Sequence, residues 1–193
     1  MPRPKSFDED AVLEQAVELF RARGYEGTSL ADLESHLGLG RQSLYNTFGD
    51  KHTLFLKALD HYRRTMGESM AERLGRPDAG LEAIRDFFRN AIRNLTGESP
   101  RSGCLVANTI SERGSDDAAS LLRCNRSREE LERGFRRALT QARDRGELPP
   151  HVQVDATATL LVIQNYGLCA LAKTGAAAEE LEAAVEALLA GLG

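Results

Sequence analysis

The chain contains no tryptophan, and only three cysteines and six prolines among its 193 residues. Cys104, Cys124 and Cys169 are odd in number and far apart, which argues against a disulfide scaffold and suits a reducing cytoplasm. His36, His52, His61 and His151 stand singly, without an HExxH run or paired carboxylates, so no metal site is expected. No nucleophile–base pair or phosphate-cradling glycine loop is present, and neither catalysis nor a cofactor is expected. A basic excess is missing as well. The net charge of −4 and the pI near 5.7 leave none of the positive footprint typical of nucleic-acid binders. The opening MPRPKSFDED lacks the apolar core of a signal peptide, so export is not expected. The most apolar stretch, Asp155–Lys173, is interrupted by Gln164, Asn165 and threonines. It falls short of the ~20 apolar residues that a membrane crossing takes. Strand-type alternation is absent throughout.

Helical periodicity fills the space these absences leave. A hydrophobic content of 41% and a charged content of 28% suit a soluble chain long enough to bury a sizeable core. Val12, Leu13, Ala16, Val17 and Phe20 recur at three- and four-residue steps, with Glu9, Glu14, Glu18 and Arg21 on the other face. Gly24 stops this first helix. Thr28 offers a hydroxyl N-cap for a second, whose apolar stripe is Ala31, Leu33 and Leu37. Gly38-Leu39-Gly40 breaks it and frees Leu39 to plug between helices. A third helix spans Arg41–Phe48 with Leu44 and Phe48 inward, and Asp50 caps a fourth running from Lys51 to about Leu74.

Beyond Asp78, Leu81, Ile84, Phe87, Phe88, Ala91, Ile92 and Leu95 mark an amphipathic helix. Cys104–Ile110 is a short helix apolar nearly all round, and a longer one runs from Asp116 to about Arg145. Two more follow, Asp155–Lys173 and Ala177–Leu192. The expected fold is all-α with about nine helices: a three-helix unit at residues 1–50 and a helical regulatory and dimerisation body at 51–193.

The third helix has the chemistry of a major-groove reader. Arg41 can donate twice to a guanine, Gln42 can contact an adenine through two bonds, and Ser43 can read a donor or an acceptor. Asn46 lies one turn on. Thr28, Tyr45, Thr47 and Lys51 flank this face with hydroxyls and an amine suited to phosphates; Tyr45 is equally suited to packing. Arg3 and Lys5 offer a basic N-terminal arm, or a plain disordered terminus. Residues 1–52 carry six Lys and Arg against nine Asp and Glu, a net of −3, which implies few phosphate contacts and a shallow salt dependence.

The run GYEGTSLADLESHLGLGRQSLYNTFGDKHTLFLKAL resembles the DNA-binding domain of the TetR family of bacterial transcriptional regulators. The resemblance covers about the first sixty residues. It rests on the Gly-Tyr-x-Gly-Thr-Ser entry, the Leu-Gly turn, the Ser-Leu-Tyr-x-x-Phe helix and the Lys that follows. It implies a homodimer on a palindromic operator, acting as a repressor released by a small ligand. By motif position, Arg41, Gln42, Ser43 and Asn46 would face bases, while Thr28, Tyr45, Thr47 and Lys51 would face phosphates. Gly40 departs from the family pattern, where a polar residue often opens the reader helix.

The resemblance also implies that the last two helices, Asp155–Lys173 and Ala177–Leu192, pair with a second copy, which agrees with their apolar excess; simple core packing is the other reading. Phe87, Phe88, Ile92, Leu105, Thr109 and Tyr166 would wall a ligand pocket, with Asn108, Gln164 and Asn165 as polar anchors. SGCLVANTISE resembles a segment that carries an oxidant- or electrophile-sensitive thiol in one branch of the family, which makes Cys104 a candidate sensor with Lys173 beside it. The alternative for Cys104 is a small buried hydrophobe. The alternative for the whole chain is an all-α small-molecule-binding protein or enzyme that never meets DNA.

Overall fold

Capping chemistry accounts for where the first four helices begin. The computed structural model describes residues 7–77, 79–97 and 103–192, and among them there is no strand. Helix α1 (Glu9–Arg23) starts at Asp8, whose carboxylate accepts from the amides of Asp10 and Ala11, and stops at Gly24 with φ +76°. Helix α2 (Leu30–Leu37) starts at Ser29, not at the expected Thr28: Ser29 and Asp32 form a reciprocal capping box. Its buried stripe is Leu33 and Leu37, while Ala31 is exposed. Helix α3 occupies the expected Arg41–Phe48, and α4 (Lys51–Tyr62) is capped by Asp50, which accepts from the Thr53 amide at 2.7 Å.

The helix expected from Lys51 to about Leu74 is not uniform. It widens into a π-helical segment at Arg63–Gly67 and resumes as α5 (Glu68–Leu74). Within the segment the Thr65 hydroxyl donates to the His61 carbonyl at 3.0 Å. Such wide turns concentrate at functional positions in helices. The remaining elements are α6 (Gly80–Thr96), α7 (Leu105–Arg113), a 3₁₀ turn at Gly114–Asp116, α8 (Ala118–Asp144), α9 (Val154–Thr174) and α10 (Ala178–Ala190).

Two apolar cores result. The first joins α1 to α4, with Phe20 edge-on to Phe55 at 4.9 Å, and also takes in Leu105, Val106 and Cys124 of the body. The second joins α5, α6, α8, α9 and α10 around Phe87, Phe88 and Phe135. Cys104 and Tyr166 are half-buried and pack against both.

Helix α9 buries Leu161, Val162, Leu168, Cys169 and Ala172 but exposes Leu160, Ile163 and Leu171, with Leu122 of α8 also exposed. By length and composition alone α9 could cross a membrane, with 39% of its most apolar window buried. Asn165, only 8% exposed on its inner side, and the packing of α8 along it fit a helix of a protein core instead. Helix α10 lays Leu181, Val185 and Leu189 on α6 and turns alanines and glutamates outward.

Candidate nucleic-acid interface and thiol site

Helix α3 is anchored by Leu44 and Phe48, 4% and 2% exposed. Arg41, Gln42, Ser43, Tyr45 and Asn46 stand exposed on its outer side, and Thr47 is half-buried. The Gln42 side-chain amide donates to Asn46 Oδ1 at 2.9 Å; its second N–H and its oxygen are still enough for a two-bond contact with adenine. The Arg41 guanidinium lies 5.8 Å from the centroid of the Tyr45 ring. Lys51 is half-buried, with its ammonium 4.1 Å from the Tyr25 ring centroid.

Thr28 departs from expectation. It is fully buried, and its hydroxyl donates to the Gly24 carbonyl at 2.6 Å. With the cap assigned to Ser29, Thr28 closes the α1–α2 turn from inside and offers nothing to a phosphate. Arg3 and Lys5 lie outside the described residues.

The acidic balance has a structural explanation. Asp8, Asp32 and Asp50 cap helices, Asp10 and Glu14 face the buried His61, and Glu26 pairs with Arg113. Six of the nine acids in residues 1–52 are thereby engaged, and α3 itself carries none.

The body holds a narrow, partly open cavity of about 70 Å³ where α6, α7, α8 and α9 meet the connecting helix, that is α4, the π-helical segment and α5 taken together. Phe87, Cys104, Asn165 and Tyr166 line it. Phe88 and Leu105 are buried in the cores, Ile92 lines a separate groove between α6 and α10, and Thr109 is buried with its hydroxyl donating to the Leu105 carbonyl at 2.8 Å. Asn108 lines a different groove, of about 500 Å³, between α1, α7 and α9. Gln164 lines neither. The lining residues that sequence reasoning missed are Tyr62, Arg63, Met66, Gly67 and Met70 of the connecting helix, Val106 of α7, and Ser127, Glu130 and Leu131 of α8. No local pattern marks them; the signal is which helices become neighbours. Arg63 pairs with Glu130 at 2.9 Å, while Glu130 Oε2 and the Tyr166 hydroxyl are buried without a protein hydrogen-bond partner.

Cys104 is the residue before α7, and its sulfur collects donors. The Tyr62 hydroxyl donates to it at 3.6 Å, and the Cys169 thiol and the first-turn amides of Ala107 and Val106, which form no conventional cap hydrogen bond, add interactions that favour the thiolate. Led by the one with Cys169, these interactions outweigh burial and hold the Cys104 thiol down at about 6. The same interaction and burial push the Cys169 thiol upward, and burial pushes Cys124 up to about 12. The expected neighbour, Lys173, is elsewhere: its ammonium donates to Asn108 Oδ1 at 2.9 Å.

The far end of α7 holds the reader unit. The Glu112 carboxylate accepts from the amides of Tyr25 and Glu26, both at 2.8 Å, in the turn between α1 and α2. A Cβ on Gly24 would lie 2.8 Å from those carboxylate oxygens, at a backbone φ that side chains rarely adopt. Arg113 pairs with Glu26 and Asp117, and Asn108 donates to the Arg21 carbonyl at 3.1 Å. Arg21 in turn donates to the Gly103 carbonyl at 3.0 Å.

Comparisons agree with this geometry over the whole chain. The family model described as bacterial regulatory proteins, tetR family, matches residues 12–58, and the tetracyclin repressor-like C-terminal domain matches residues 80–188. The chain is 37% identical over 193 residues to the uncharacterized HTH-type transcriptional regulator YezE of Bacillus subtilis (strain 168), covering all of both. It is 34% identical to the HTH-type transcriptional repressor ComR of Escherichia coli (strain K12), over 93% of this chain and 86% of that one. A cysteine mutant of the TetR family transcriptional regulator CifR, complexed with 26 bp operator DNA, superposes with a TM-score of 0.86 at 32% identity, over 99% of this chain and 100% of its own. The chain therefore belongs to the TetR family of bacterial regulatory proteins, helix-turn-helix regulators of transcription rather than enzymes.

Proposed function

We propose that this protein represses transcription in the cytoplasm as a homodimer on a palindromic operator, and that small thiol-reactive compounds release it by modifying Cys104. Residues 1–50 form the reader and residues 51–193 the regulatory and dimerisation body, with α4 of the body packed into the core of the reader. The observation that carries the reading is the outer side of α3: Arg41, Gln42, Ser43 and Asn46 exposed on a helix fixed from behind by Leu44 and Phe48. Tyr45, Thr47 and Lys51 remain the phosphate-side residues; Thr28 leaves that set. Operator-bound CifR supports the same mode of binding.

Two copies are needed because reader helices must enter major grooves about 34 Å apart. The exposed Leu160, Ile163 and Leu171 of α9, with the alanine-rich outer side of α10, supply the surface for pairing. The cavity beside Cys104 supports a small inducer. At about 70 Å³ it lies well below the ~300–1,000 Å³ of pockets for drug-sized ligands.

The test starts with DNA selected from a random pool by the purified protein. Arg41→Ala is expected to weaken the selected site by ~1–3 kcal/mol and to relax its sequence preference. Unchanged affinity and preference would remove α3 from base reading. Alkylation with N-ethylmaleimide is expected to release wild-type protein from DNA but not Cys104→Ser; equal release of both would remove Cys104 from the signal.

A further inference from the structure

Three segments far apart in the chain meet around one tyrosine ring. Tyr25, in the turn between α1 and α2, has the Lys51 ammonium 4.1 Å and the Arg113 guanidinium carbon 4.2 Å from its ring centroid. Lys51 opens α4 and Arg113 closes α7. Lys51 belongs to the phosphate-side set, while Arg113 and the Tyr25 ring have no part in it. Yet α4 itself does nothing to keep the Lys51 ammonium in place. The first turn of a helix carries the positive end of the helix dipole, which disfavours a cation. The four-carbon stem of a lysine is flexible. The electron-rich face of the ring is what attracts the ammonium there.

The ring in turn is held from α7. The Arg113 guanidinium pairs with Glu26 through Nη1 and with Asp117 through Nη2, the second at 3.3 Å. These two carboxylates offset its charge, so the ring can serve a second cation. Asp117 also pairs with His52, the residue after Lys51, at 2.8 Å, which ties the start of α4 to the same carboxylate. Arg113 Nε is buried and has no hydrogen-bond partner among the described residues. That is a cost to stability that an apolar side chain at this position would not carry, so packing alone does not account for an arginine here.

We infer that Arg113 is a positioning residue for DNA binding: through the Tyr25 ring it sets where the Lys51 ammonium meets a phosphate of the operator. The inference rests on Lys51 being a phosphate contact, as in the proposed function. It gives α7 two distinct holds on the reader. Glu112 fixes the backbone of the α1–α2 turn. Arg113 acts, through the ring, on a side chain of the DNA face.

The experiment is a set of salt titrations of the full-length protein on the operator selected from a random pool. Each phosphate contact contributes about −0.9 to the slope of log affinity against log salt. The two copies of Lys51 in a dimer then contribute roughly −1.8, or about twelvefold of the affinity lost between about 50 and 200 mM salt. Lys51→Ala should remove that part. Arg113→Met should remove at least half of it while Lys51 is present, and should shift neither slope nor affinity further in the Lys51→Ala background. Tyr25→Phe keeps the ring and should titrate as wild type, whereas Tyr25→Leu should follow Arg113→Met. A purely structural Arg113 would lower Tm and weaken binding by the same factor in both backgrounds, with the slope unchanged; that result would overturn the inference. Equal slopes for Tyr25→Leu and wild type would do the same, even if Arg113→Met fails to fold. A wild-type slope in Lys51→Ala would overturn the inference together with the Lys51 assignment, while the base-reading role of α3 still stands or falls with Arg41→Ala.

Discussion

Removing the Glu112 carboxylate should loosen the reader and disconnect it from the thiol at once. Helix α7 has nine residues from Leu105 to Arg113, about 13 Å at 1.5 Å per residue. Cys104 lies at its start, and Glu112, near its end, accepts from two backbone amides of the α1–α2 turn. Hydrogen bonds to a charged group contribute ~1.5–3 kcal/mol net when protected. Glu112 is exposed, and water can replace part of what is lost, so ~1 kcal/mol for each bond is the better figure. Glu112→Ala should then cost ~2 kcal/mol, or roughly 4–8 °C in Tm for a chain of this size. Glu112→Gln, which keeps one oxygen acceptor but brings an amide donor toward the second N–H, should fall between. Gly24→Ala should match or exceed Glu112→Ala, because its Cβ would occupy the space of the carboxylate.

The decisive assay is fluorescence anisotropy of labelled operator with N-ethylmaleimide-treated and untreated protein. In wild type the two titrations should differ by about 5–150-fold, the usual span of a coupling energy. In Glu112→Ala the untreated protein should bind more weakly, and the gap should shrink toward onefold. An unchanged Tm together with an unchanged gap would refute the clamp. A lower Tm with the gap intact would leave Glu112 structural and move the signal to the connecting helix.

The Cys104 environment predicts that its alkylation rate rises with pH up to about 6 and then levels off, whereas an ordinary cysteine climbs until about 8.5; iodoacetamide labelling followed by mass spectrometry checks this. Asp117 supplies an acid-sensitive contribution. Burial raises its pKa, but hydrogen bonds from Ser120 and His52 outweigh burial and hold the carboxyl below its ordinary range. A depressed folded value stabilises above the unfolded pKa and is lost as pH falls through the folded one. Asp117→Asn should therefore be less stable than wild type near neutrality, with a gap that starts to narrow below about pH 4 in denaturant titrations; a gap independent of pH would contradict the assignment. Ile163→Arg on the exposed side of α9 should give monomers by analytical ultracentrifugation. Losing the linked second reader should weaken operator binding by about 10²–10⁴-fold, and a stable dimer with full affinity would place pairing elsewhere.

What the sequence made legible was mostly local. Asp50 and Gly24 punctuate helices as expected, and α3 begins and ends at the expected residues, because caps and apolar stripes are decided within a few positions. The Thr28 error is instructive. Two hydroxyl residues are adjacent there, and only the pairing of Ser29 with Asp32 three residues on tells them apart. Long-range choices were less legible. Phe87 and Phe88 share an apolar face, yet only Phe87 reaches the cavity while Phe88 stacks on Phe135. The Glu112 clamp joins residues 86 and 87 positions apart, and the α9 residue that acts on the Cys104 thiol is Cys169 rather than Lys173, whose ammonium goes to Asn108. None of these follows from periodicity, because each depends on how helices far apart in sequence come together.

These long-range contacts also bear on the charge problem that the sequence posed. If the acids of residues 1–52 were loose on the surface, they would repel DNA wherever the unit approached it. Instead Asp10 and Glu14 face His61 and Arg64 on the connecting helix, and Glu26 is paired with Arg113 of α7. The groups that make the reader acidic are thus among those that attach it to the body. A reader with so little basic surface gains little from phosphates, so its affinity depends on two α3 helices meeting bases together at the right separation. Small changes in how α7 and the connecting helix hold each reader then act on most of the binding energy. Repression that relies on spacing more than on charge should show a shallow salt dependence and a steep dependence on half-site separation. Titrations against operators lengthened by one base pair at the centre measure the second directly. Affinity that survives the insertion but collapses with salt would reverse the argument.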